Sequence, residues 1–177
     1  MQKFKGGHIC MASIDGYSIT DLRKELGHER ELVYTGIINF QGRVVGAFKE
    51  STTGGTTEFS IIKDYLDIFQ KDAKNLLLKF PFGIIKSKLY LPCVYDEEPG
   101  LFLITQLRVL LTLEESYNAN LNNGYTKLVF FQEQNGLRRI GNYNDDKYID
   151  ELKSAETFIV FTASSPDDFI IITSEVE

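Results

Sequence analysis

Two histidines, His8 and His28, and two cysteines, Cys10 and Cys93, are the side chains in this 177-residue chain best suited to metal binding or nucleophilic chemistry. His8 and Cys10 form a His-x-Cys pair that offers two ligands to a metal. A tetrahedral zinc site needs four, so it would consume every His and Cys present or recruit carboxylates, and no Cys-x-x-Cys spacing occurs. We therefore expect no metal and no cofactor, with His8 exposed and Cys10 a small buried thiol. Cys93 with His28 as its base would make a nucleophile pair, but neither sits in a local signature of a thiol enzyme.

Carboxylates are more plentiful, in runs at Asp96-Glu97-Glu98, Glu114-Glu115, Asp145-Asp146, Asp150-Glu151 and Asp167-Asp168. Metal-assisted hydrolysis uses such groups, yet adjacent acids on a strand or helix point in different directions. Several of them fall where helix starts and turns are expected, where acids cap and solubilise. The remaining use is a surface that meets a basic protein, and its candidate residues are Asp145, Asp146, Asp150, Glu151, Asp167 and Asp168. Thr52-Thr-Gly-Gly-Thr-Thr57 could present backbone amides to a phosphate, but it lacks the spacing and lysine of a P-loop, and an ordinary turn explains its glycines. Arg138 and Arg139, adjacent in an expected strand, should face opposite sides of the sheet.

Composition narrows the field. With 43% apolar and 25% charged residues the chain matches an ordinary globular protein. Apolar runs stop at about four or five residues, against the roughly 20 of a membrane span. The basic start, Met1 to Cys10, lacks the apolar stretch of a secretory signal, and two cysteines suit a reducing compartment, so a cytoplasmic protein is expected. Net charge is −6, distributed as +3 over residues 1–88 and −9 over residues 89–177. Such a balance argues against nucleic-acid binding through counterion release and favours a basic partner.

The elements that must position these residues read as α+β with mainly antiparallel sheet, one long helix and one or two short ones. Thr20 can cap a short helix over 21–26 that Gly27 ends. Residues 31–50 read as a hairpin about Gln41-Gly42, and residues 125–143 as another about Asn135-Gly136. Residues 61–79 should form the longest helix, capped by Ser60, stopped by Pro81 and packed through Ile62, Leu66, Phe69 and Leu77. Leu89 to Tyr95 looks extended. Leu101 to Leu113 fits either a helix, with Thr105, Arg108, Thr112 and Glu115 as a polar stripe, or a strand. We favour the strand, by analogy with Phe158 to Phe161, a Ser-Ser-Pro-Asp-Asp turn and Phe169 to Thr173, which read as a closing hairpin. Asp145 or Asn144 should cap a short helix that turns Tyr148, Ile149 and Leu152 towards the core and leaves its acids outside.

Tyr65-Leu-Asp-Ile-Phe69 is echoed by Tyr148-Ile-Asp-Glu-Leu152, which raises the prospect of two hairpin-helix-hairpin halves. The chain is then a single globular domain over 1–177, with sub-halves 31–113 and 125–177 joined by an Asn-rich loop at 114–124. Three roles remain open from sequence. One is a small acidic protein-binding module, such as an inhibitor or immunity protein that covers a basic nuclease toxin. Another is an enzyme or small-ligand binder using carboxylates or Cys93 in a cleft. The third is a self-assembling structural protein.

Overall fold

The computed structural model describes residues 11–27, 31–51, 58–80, 98–133, 137–154 and 158–175. Two sheets share one central helix. Strands β1 (Ser13–Ile14), β2 (Tyr17–Leu26), β3 (Leu32–Phe40), β4 (Arg43–Ser51) and β5 (Glu58–Ile61) form an antiparallel meander, and the late strand β9 (Ile170–Ile171) joins it in parallel beside β1. Strands β6 (Lys127–Gln132), β7 (Arg138–Tyr143) and β8 (Phe158–Ala163) form a second antiparallel sheet in the order β7-β6-β8. The class is thus α+β, as the residue pattern predicts.

Both expected hairpins are present. Phe40 pairs with Arg43 across Gln41-Gly42, whose φ angles of 49° and 77° give the doubly left-handed turn that matches strand twist. Gln132 pairs with Arg138, and the Glu133 N–H donates to the Leu137 carbonyl at 2.9 Å, with residues 134–136 between them outside the described residues.

The expected helix at 21–26 is instead the outer half of β2. Leu22 and Leu26 are spaced as on a helix, but one turn of helix closes few hydrogen bonds for the dihedrals it fixes, whereas β3 offers a ready ladder. Asp21, at φ 52°, marks a bulge between Thr20 and Arg23. The bulge changes which residues face inward: Tyr17 and Ile19 before it, and the partly buried Leu22 after it.

Helix α1 spans Lys63–Lys79, and Ser60 belongs to β5; the N-cap is Ile62, with no side-chain cap. Its inner face is Phe69, Ala73 and Leu76, with Tyr65 and Leu77 partly buried against the core. Ile62 is exposed and Leu66 half-buried, so the packing stripe lies to one side of the expected one. Pro81 is outside the described residues, as is segment 89–95, expected to be extended.

The longest helix is α2, Pro99–Leu121, which occupies the segment read as a strand and most of the one read as a loop. Pro99 starts it at a position that needs no N–H. Twelve of its 23 residues are buried, because both sheets and α1 pack around it. A helix surrounded on several sides loses the one-faced periodicity by which helices are read. Gly100 lets α1 close on its first turn: a Cβ there would stand 2.7 Å from Phe59 and 2.9 Å from Phe69.

One face of the second sheet, Leu128, Phe130, Phe161 and Ala163, joins the core around α2. The other, with Val129 and Phe131, is covered by α3 (Lys147–Ser154) through Ile149 and the partly buried Leu152. After β8 the chain does not return in a hairpin. Pro166–Phe169 makes a 3₁₀ turn, Phe169 enters the main core, and β9 crosses to the first sheet. The two echoed pentapeptides both lie in helices, but residues 101–113 are helical where the first half needs a strand, and β8 and β9 belong to different sheets, so two hairpin-helix-hairpin halves are not confirmed among the described residues.

Candidate functional site

Helix α3 presents the acidic face. Burial of Ile149 turns Asp150 and Glu151 outward, and both are exposed. At the helix start, Asp145 Oδ1 accepts the Lys147 N–H at 3.1 Å, and Asp146 pairs with Lys127 of β6. Tyr148, half exposed, stacks on Tyr143 of β7 with ring centres 5.7 Å apart and planes at 22°. An aromatic ledge therefore stands among the carboxylates, a combination of anchor and rim found at protein interfaces. Burial raises the Tyr143 hydroxyl above its ordinary range.

Asp167 and Asp168 belong elsewhere. Asp168 Oδ2 accepts the N–H groups of Ser164 at 2.7 Å and Ser165 at 2.8 Å, completing a capping box over Pro166–Phe169. Phe169, in that turn, packs against Tyr117 on the α2 side of the second sheet, whereas α3 lies on the opposite face. The six candidate acids thus fall into an α3 group and a turn group. Ser165-Pro-Asp-Asp168 carries the capping-box pattern in its sequence, so this structural role was legible. The Tyr117 hydroxyl donates to the Ser164 carbonyl at 3.0 Å, and its pKa is raised by burial and then by the Asp168 charge.

His8, Cys10, His28, Cys93 and the Thr52–Thr57 turn lie outside the described residues. Among those described, no three His, Cys, Asp or Glu side chains converge on a metal position, and no helix is long and apolar enough to cross a membrane. Arg139 pairs with Glu133 at 2.8 Å on the surface. A concavity lined by Ile14, Asp15, Tyr17, Asp72, Leu76 and Leu103 holds about 10 Å3, room for one water and far below the roughly 300 Å3 of a small-molecule pocket. Tyr17 donates to Asp72 Oδ2 there at 3.0 Å. Burial pushes its pKa well above the usual range, and the hydrogen bond to Asp72 and the charges of Asp72 and Asp15 add to the shift.

A polar seam is the feature that the strand reading of 101–113 hid. Lys24, Tyr34 and Glu50 are successive cross-strand partners on β2, β3 and β4. Of the α2 stripe, Thr105 and Arg108 meet this row at Glu50 and Tyr34, Thr112 turns back to its own helix, and Glu115 reaches Lys24 at the exposed end. Arg108 Nε lies 2.5 Å and Nη2 3.3 Å from the two Glu50 oxygens, and its guanidinium sits 4.5 Å from the Tyr34 ring centre. Thr105 Oγ1 is 3.5 Å from Glu50, Thr112 Oγ1 donates to the Arg108 carbonyl at 2.9 Å, and Lys24 lies 3.6 Å from Glu115. Glu50 and Arg108 neutralise each other, so the seam holds elements together rather than offering a free acid or base.

No family model, curated protein or solved structure matches this chain.

Proposed function

We propose that this chain is a small acidic protein-binding module, an inhibitor or immunity protein that covers a basic partner such as a nuclease toxin. The observation that supports it is the outer face of α3, where an exposed tyrosine held flat by a second ring stands one turn from Glu151, with Asp150 exposed further round the helix. Opposite charge steers such partners together, and a desolvated tyrosine supplies the anchor. The interface centres on Tyr148, Asp150 and Glu151. Asp145 and Asp146 stand at its margin, and the capping Asp168 with its neighbour Asp167 is left out. Such a role fits a net charge of −6 and requires no catalytic residue.

Charge reversal tests the proposal. Asp150→Lys with Glu151→Lys should slow association with a captured basic partner roughly tenfold or more at low salt and flatten its salt dependence, with the melting temperature nearly unchanged. Unchanged association would remove α3 from the interface.

A further inference from the structure

Helix α2 meets the first sheet in two chemically different ways. Near the middle of the strands the contact is apolar, with Ile19, Ile38, Val45 and Phe48 all buried in the core that includes Leu103, Leu107 and Leu110. Past the bulge at Asp21, the strand ends are held to the helix largely by the seam: Arg108 to Glu50 and Tyr34, Thr105 to Glu50, and Lys24 to Glu115. The outer ladder, Arg23 to Leu26 against Leu32 to Thr35, has exposed side chains at Arg23, Lys24, Glu25, Leu26 and Leu32. Leu26 is 73% exposed and its partner Leu32 42%. Few buried apolar contacts and a break in register mark segments that open below the global free energy.

We propose that the outer ends of β2, β3 and β4 form a unit that opens on its own about the Asp21 bulge, with Arg108 as its latch. Opening parts Arg108 from Glu50 and Tyr34 and uncovers the polar stripe of α2, while the apolar contacts on either side of α2 persist. Arg108 is suited to this because one planar guanidinium bonds a carboxylate and stacks on a ring at once, so a single side chain closes the joint. Lys24 and Glu115, both 43% exposed, add little.

Native-state hydrogen exchange on the whole chain tests the unit. In the unmodified protein, ladder amides between Lys24 and Leu26 and between Leu32 and Tyr34 should exchange through openings that depend weakly on low urea. Those of Ile38 and Val45 should follow the steep dependence of global unfolding. Two substitutions separate the openings. Arg108→Met removes a contact broken in the local opening and should speed the outer amides by roughly a hundredfold. Leu76→Ala, between α1 and the core, is untouched by that opening; it should speed Ile38 and Val45 by roughly a hundredfold and leave the outer ladder as it was. The proposal is overturned if both amide sets share one urea dependence, if Leu76→Ala speeds them alike, or if Arg108→Met leaves the outer ladder unchanged. Should Arg108→Met fail to fold, the first two measurements still decide.

Discussion

Glu114 is the buried acid whose loss should be felt most. It is 1% exposed, and its two carboxylate oxygens accept the N–H groups of Met11 at 2.6 Å and Ala12 at 2.9 Å, 103 and 102 residues away. These bonds fix the segment that leads into β1, which in turn pairs with both β2 and β9. Glu114→Gln keeps the size but offers one acceptor oxygen, so an amide NH₂ comes to face one of the two backbone donors. A hydrogen bond to a charged group contributes about 1.5–3 kcal/mol, and a buried group left unpaired costs about 1–3 kcal/mol, which together give a loss of about 2.5–6 kcal/mol. With a urea slope of about 2 kcal/mol/M, the unfolding midpoint should fall by about 1–3 M. Glu115→Gln is the matched control: its side chain is 43% exposed, and the change should stay within about 0.5 kcal/mol. A Glu114→Gln loss no larger than that of the control would refute the reasoning, because the two backbone donors would then have found other partners.

Leu107, 1% exposed in the middle of α2, should lose about 2–5 kcal/mol as Leu107→Ala in a denaturant melt. Gly100→Val should destabilise by about 1–3 kcal/mol, since the new side chain meets the rings of Phe59 and Phe69, and a melt showing no loss would mean that α1 can retreat. Tyr17 titrates higher folded than unfolded, so its contribution is fully present below its ordinary value of 10.0 and is lost as pH rises above it. Stability measured by urea melts should therefore fall above about pH 10, and less steeply in Tyr17→Phe.

What the residues revealed was local. Gln41-Gly42 fixes its hairpin through backbone conformations that few other residues adopt, Asn135-Gly136 marks the second hairpin by residue type, and α1 shows its face because the opposite side is wet. The helix α2 was hidden because its surroundings are apolar on several sides and two members of its polar stripe, Thr105 and Arg108, are turned to Glu50 rather than to water, so neither periodicity nor polarity reports solvent. Residues 114–121 carry turn formers, yet Glu114 and Tyr117 are buried in the helix by contacts with Met11, Ala12 and Ser164 from distant parts of the chain. The crossing of β9 beside β1 is likewise a long-range pairing with no sequence mark. On the acidic face, the residue pattern predicts an inner row of Tyr148, Ile149 and Leu152; it holds for Ile149 and Leu152 but not for Tyr148, which is half exposed, and the outward turn of Asp150 and Glu151 followed from it. The stacking of Tyr148 on Tyr143 did not, because it depends on how α3 lies across β7.

The most direct test of a protein-binding role is a benzophenone photocrosslinker placed at Tyr148 of the full chain, expressed in the cell of origin, with a matched probe at the exposed Lys63 on α1. The account predicts that irradiation joins position 148, and not position 63, to one basic protein, and that Asp150→Lys with Glu151→Lys abolishes the adduct. An adduct formed equally from both positions, or none from position 148, would contradict it.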